Sequence, residues 1–242
     1  QVVINGQIDG KKIIDLTYTY DEETIFWPTE KGFELFKGFE GYTDGGYYYS
    51  ANTFCTAEHG GTHLDAPIHF YETGNSVDEV PLENLIGNTI VVDVSDKCTE
   101  DRDYLVKIED FKKWEENNGE MKPGTIILIR TGFGKYWPDR EKYMGTNERG
   151  QEAVAKLSFP GLHPDAAKWL TETKKIKAVG IDTPSIDYGK SILFEAHVVL
   201  GSHNIPIFEN VANLHLLPEK DILLFALPIK IKGGSGGPAR II

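Results

Sequence analysis

The sequence predicts an α/β fold, and two observations carry that reading. Short runs rich in β-branched and aromatic residues recur along the chain. Between them lie segments whose apolar residues repeat at helical spacing. Several of the runs, such as IILI at residues 126–129, are apolar without interruption. Such runs suit strands buried on both faces, and alternation with helices is the α/β pattern.

Strands are predicted at residues 12–20 (KIIDLTYTY), 47–57 (YYYSANTFCTA), 88–95 (NTIVVDVS), 124–132 (GTIILIRTG), 177–182 (KAVGID) and 221–231 (DILLFALPIKI). A helix is predicted over 107–119, where Ile108, Phe111 and Trp114 share one stripe and Gly119 stops it. A second is predicted over 163–175, with Pro164 in its first turn and Ala167 and Leu170 at helical spacing. LENLIG at 82–87 reads as one short helix. Residues 136–164 read as an insert between a strand and the second helix, and residues 232–240 (KGGSGGPAR) as a linker, or as backbone packed close to another element. No repeat or internal linker divides the chain, so residues 1–242 are expected to form one domain.

The net charge of −12 argues against nucleic acid or an anionic membrane as partner, since both require basic patches. No apolar run approaches the ~20 residues of a membrane span. Only Cys55 and Cys98 are present and no CxxC exists, which excludes a thiolate cluster and suits a reducing compartment. No signal peptide is visible, so a cytoplasmic location is expected, although the chain starts at Gln1 rather than Met.

Residues 58–70, EHGGTHLDAPIHF, concentrate three histidines and two carboxylates. His59, His63, Asp65 and His69 all hold odd positions, so an extended chain would place them on one face. A helix would set His63 and Asp65 about 200° apart, and Gly60, Gly61 and Pro67 oppose one. The stretch is therefore not an HExxH zincin helix. Two imidazoles and a carboxylate suit Zn²⁺, Mn²⁺ or Fe²⁺ with positions left for water or substrate. Thr62 and Glu58 are candidates to orient those ligands, and Gly60 and Gly61 would let backbone turn close to the ion.

A second acidic and imidazole-rich region lies downstream. Asp182 and Asp187 follow an apolar run, and Glu195, His197, His203 and Glu209 follow them. Spacing alone does not decide which of these reach the first cluster. His163 and His215 read as ordinary. No GxSxG elbow surrounds Ser185, Cys55 reads as a core position, and neither a P-loop nor GxGxxG is present.

HGGTHLDAPIHF resembles the HxGTHxDxPxHF signature of the metal-dependent cyclase-like hydrolase family, which includes bacterial kynurenine formamidase, isatin hydrolase and trans-dienelactone hydrolase. The resemblance extends from IIDLTYTY and FWP through GIDTPSIDYG, AH and IFENV to the Gly-rich end. It implies a swivelling β/β/α domain, assembled as a homodimer or higher oligomer. It also implies that His59, His63 and Asp65 hold a first divalent metal, Zn or Mn. Asp65 would then bridge to a second ion held by His197 and Glu209. His69 matches the acid/base histidine, and Trp27 the aromatic residue lining the substrate pocket.

The function expected is hydrolysis of a C–N bond in a small, aromatic amide, lactam or formamide by metal-activated water. Two other readings compete. One is a non-haem Fe(II) oxygenase built on His63, Asp65 and a distal histidine, which leaves His59 and His69 unexplained. The other is an inactive metal-binding module, which would need no proton shuttle at His69.

Overall fold

The computed structural model describes residues 12–242. Strands β1 (Glu34–Tyr42) and β2 (Tyr48–Cys55) form an antiparallel hairpin, and β3 (His63–Asp65) follows. Helix α1 (Leu82–Leu85) runs directly into β4 (Ile86–Asp93), then come α2 (Ser95–Glu100), β5 (Leu105–Val106), α3 (Ile108–Asn118) and β6 (Ile126–Arg130). Next are α4 (Arg140–Met144), α5 (Gln151–Val154), β7 (Gly161–Leu162), α6 (Pro164–Lys168) and β8 (Ala178–Ile181). The chain closes with α7 (Glu195–Ser202), β9 (Ile207–Glu209), β10 (Ile222–Pro228) and β11 (Gly236–Ile241).

The α/β class holds. Seven strands close a barrel in the order β10-β11-β3-β9-β8-β6-β4. The β4-β6-β8-β9 side is parallel, and the pairs through β3, β11 and β10 are antiparallel.

The uninterrupted apolar runs have a direct explanation. Val91, Ile126, Leu128, Ala178 and Phe208 belong to one buried cluster. Their alternating neighbours Ile90, Val92, Ile127, Ile129, Val179 and Ile207 belong to another, together with Phe111 and Trp114 of α3, Ala166 and Ala167 of α6 and Leu200 of α7. The first cluster fills the barrel. The second fills the layer between barrel and helices. Strands with a core on each face have no polar face to show.

Several sequence expectations change. Residues 13–20 join no strand, although the Leu16 N–H donates to Ile241 O and its carbonyl accepts from Ala212, both at 2.9 Å. The run is extended, but the Tyr18 N–H turns to Thr62 Oγ1 instead of a ladder partner. The Gly-rich end is not a linker: it is β11, paired with both β10 and β3. The helix predicted over 163–175 is α-helical only to Lys168 and continues as a π-helix over Trp169–Lys174. The insert at residues 136–164 carries α4, α5 and β7.

The β1–β2 hairpin stands outside the barrel, and nearly all its residues are exposed on both faces. No helix among the described residues is long and apolar enough to cross a membrane.

Candidate active site

Strand β3 supplies the centre of the site. Leu64 points into the barrel, so His63 and Asp65 point the opposite way. In the antiparallel pairing of β3 with β9, His63 lies opposite Glu209. His63 Nε2 is 3.6 Å from Glu209 Oε2 and 3.0 Å from Asp65 Oδ1. His197, in the first turns of α7, brings Nε2 to 3.2 Å from both Asp65 Oδ2 and Glu209 Oε1.

The parity argument holds only for His63 and Asp65. His59 precedes β3 and reaches Asp65 through the turn at Gly60 and Gly61, with Nδ1 2.6 Å from Asp65 Oδ1. Gly61 has a φ of +55°, and a Cβ there would lie 2.6 Å from the Tyr20 ring; one on Gly60 would lie 2.0 Å from Phe26. These glycines therefore admit aromatic rings, not an ion. His69 ends a short 3₁₀ turn, Pro67–His69, and its ring stacks on His59 with centroids 3.7 Å apart.

Each of three imidazoles donates outward and presents a lone pair inward. His63 Nδ1 lies 3.0 Å from Gly61 O, which can only accept, so Nδ1 carries the hydrogen. His197 Nδ1 lies 2.6 Å from Asp187 Oδ2, whose carboxylate also accepts the Ala196 and His197 backbone N–H groups. Ser235 Oγ donates to Glu58 Oε2 at 2.6 Å and receives His59 Nε2–H at 2.8 Å. Three nitrogen lone pairs thus face the oxygens of Asp65 and Glu209, and among the described residues His63 Nε2 is buried without a hydrogen-bond partner. Lone pair against carboxylate is repulsive unless a cation or a proton lies between.

The donor set is imidazole and carboxylate, which suits a Zn²⁺ or Mn²⁺ ion, and outward hydrogen bonds on the ligating rings are what metal sites use to orient them. Two groups have ligand atoms within 4.8 Å of one another: His59, Asp65 and His69, and His63, Asp65 and Glu209. Asp65 belongs to both, which agrees with a shared carboxylate. The grouping also brings His69 within ligand reach.

Burial alone would raise the Asp65 carboxyl, but the facing imidazoles of His59, His63 and His69 outweigh it and hold it well below the usual range. Burial and the charge of Asp65 push Glu209 up. His63 and His197 resist burial and are held above the usual imidazole value, His63 by Asp65 and His197 by Asp187, Asp65 and Glu209. His69 goes the other way: burial takes it down to about 3, with Asp65 opposing and the charges of His59, His197 and His63 adding to the effect. Its ring is uncharged at neutral pH.

The cluster forms the floor of a slot of about 280 Å³. Ile25, Phe26, Trp27, Phe70 and Phe194 supply apolar walls, Trp27 packing edge-on against Phe194 with centroids 6.2 Å apart. Thr29 and Glu30 lie at the same wall, and among the described residues no lysine or arginine lines the slot.

Asp182 does not join the site. Its carboxylate is buried under Thr131 and Gly132, which donate to it. Glu195 and His203 are exposed, and His163 caps α6 by accepting the Asp165 N–H. Asp187, left open by the sequence, orients His197. Ser235 was missed: it sat in a segment read as linker, and only the β11–β3 pairing brings it to His59. Asn210, also missed, donates to Gly61 O at 2.7 Å and accepts from the Tyr143 hydroxyl at 2.9 Å.

A closed barrel with a histidine–carboxylate cluster at the floor of an aromatic slot defines a metal-dependent hydrolase. Residues 14–188 match the family described as putative cyclase, and the chain belongs to that family. An isatin hydrolase from Roseibium aggregatum is 32% identical over 83% of this chain and 77% of that one. A kynurenine formamidase from Bacillus cereus is 28% identical over 95% of each chain. The structure of isatin hydrolase A from Labrenzia aggregata, bound to benzyl benzoate, superposes with a TM-score of 0.83 at 29% identity, covering 94% of this chain and 91% of that one.

Proposed function

We propose that this hydrolase cleaves the C–N bond of a small aromatic amide, of the lactam or arylformamide kind. The observation that carries the reading is the set of inward imidazole lone pairs on Asp65 and Glu209 beneath a narrow aromatic slot. At about 280 Å³ the slot falls near the lower end of the usual ligand-pocket range, roughly 300–1,000 Å³, which suits a ligand of one or two fused rings. Glu30 at the slot's wall disfavours an anionic group on the ring end of the substrate.

His59, His63 and Asp65 would hold one ion, and Asp65, His197 and Glu209 a second. A bound divalent ion supplies Lewis acidity and brings the pKa of a water toward about 7. Trp27, Phe70 and Phe194 line the slot and supply the apolar wall against which an aromatic ring would pack. His69 lines the slot and would accept a proton at a ring nitrogen and return it to the leaving nitrogen, Asp65 opposing the burial that depresses its basicity. The oxygenase alternative would use only two of the four clustered imidazoles, and the relatives are hydrolases.

The same reading takes the chain as one domain, in the cytoplasm, where the exposed free thiol of Cys55 would stay reduced, and as a homodimer or higher homo-oligomer. Support for the dimer comes from the hairpin. An isolated two-stranded ribbon is marginal in water, yet this one exposes Leu35, Phe36, Phe39, Tyr42, Tyr48 and Phe54. A second copy would cover it, and sedimentation at micromolar concentration tests this: a monomer would count against it.

The test of the activity is a panel of isatin-type lactams, formanilides and lactones, assayed on protein loaded separately with Zn²⁺ and Mn²⁺. Hydrolysis of an aromatic lactam or formanilide is expected. Metal-loaded, folded protein that turns over none of them overturns the reading.

A further inference from the structure

One wall of the slot, residues 26–30, has almost no ladder of its own. Its inner edge is tied to the turn carrying His59: Phe26 bridges Gly60, and Ile25 O accepts the Gly61 N–H at 3.0 Å. Its outer edge is tied to residues 136–164. Three donors from that stretch meet three alternate carbonyls. Arg140 Nη1 donates to Phe26 O at 2.9 Å, the Gly150 N–H to Pro28 O at 2.9 Å, and the Arg149 guanidinium to Glu30 O. Phe159, from the same stretch, packs edge-on against Trp27 with centroids 6.4 Å apart. The ring that lines the slot is therefore bracketed by carbonyls fixed from behind.

Arg140 is poorly explained as a contributor to stability. Among the described residues its Nε and Nη2 are buried without partners, and burial together with Arg149 lowers it to about 10. Buried guanidinium N–H groups without acceptors cost free energy. The one bond it does make holds the carbonyl immediately before Trp27. In Arg149 the same function falls to a side chain on the molecule's surface, anchored at the far end of the wall.

We propose that Arg140 and Arg149 are positioning residues for substrate selection: by fixing the Phe26 and Glu30 carbonyls they set how far Trp27 stands above the histidine cluster, and so which aromatic amides the slot admits. The proposal rests on the reading of the slot as the substrate site. It assigns residues 136–164 a role in specificity.

The experiment uses full-length metal-loaded protein labelled with 5-fluorotryptophan, with the Trp27 resonance assigned by Trp27→Phe. Arg140→Met and Arg149→Ala are expected to shift or broaden the Trp27 signal and leave those of Trp114 and Trp169 in place. They should raise KM for an aromatic amide about tenfold, with kcat and metal content within about twofold, the signature of lost ground-state binding. Arg140→Lys and Arg149→Lys, which keep a donor for the carbonyls, should recover most of the effect. An unmoved Trp27 signal, or a lowered melting temperature with KM unchanged, overturns the proposal. If the wild-type protein hydrolyses no amide in the panel, the functional reading fails while the fluorine signal still decides the clamp.

Discussion

Asp187 Oδ2 lies 2.6 Å from His197 Nδ1, and the same carboxylate accepts the backbone N–H groups of Ala196 and His197. The acid thus ties the ring to the start of its own helix and turns Nε2 toward Asp65 and Glu209. Asp187→Ala should leave the barrel folded and weaken metal binding by about 10–100-fold, the usual effect of losing a partner that orients a ligand. Competition against a calibrated chelator measures this. Unchanged affinity would show that the fold alone orients His197.

His69→Ala should keep the metal and lose about 10²–10⁴-fold in turnover, the typical contribution of a general acid–base group. Because His69 shares a ligand-distance group with His59 and Asp65, metal content must be measured beside the rate. Loss of an ion in this variant would make His69 a ligand and move the proton-transfer role elsewhere.

Asp65→Asn removes the carboxylate common to both groups. Both ions should bind more weakly, and the metal-to-protein ratio found by elemental analysis should fall. A variant with the wild-type ratio would contradict a bridging role.

Metal affinity should climb with pH. In the metal-free site His197 is held well above the usual imidazole value and His63 is also raised. A proton held between ring and carboxylate therefore competes with the metal, and binding must release it. Affinity is weakest below the ordinary imidazole pKa of about 6.5 and strengthens as pH rises through the elevated values. Calorimetry in two buffers of different ionisation enthalpy would report the released protons; identical heats at pH 6 and pH 8, with equal affinities, would contradict the shifts.

The readable parts of the site were those held close in sequence. His59, His63, Asp65 and His69 stood out because one short stretch supplies all four. His197 and Glu209 emerged only through the family resemblance, since it is the β3–β9 register, joining distant segments, that puts Glu209 opposite His63. Strand β3 has three residues, too few to display a period. In the hairpin, ELFKGFEGY shows no clean alternation because neither face of β1 is buried. Residues 12–20 had β-type composition, which reflects half-burial against β11 and not membership of a ladder. Strands β4, β6 and β8 were plain because both faces bury side chains.

Strands β3 and β9 are also the narrowest staves of the barrel, three residues each, with β3 wedged between β9 and β11. Two of the three in β3 are His63 and Asp65, and the facing stave contributes Glu209. An ion gripped there would rivet the seam at which the antiparallel strands of the barrel meet the parallel ones. Chelation should then accelerate amide hydrogen exchange first in β3, β9 and β11, ahead of the parallel strands. At a free-metal level a hundredfold above Kd, the ion would add about 2.7 kcal/mol to the unfolding free energy.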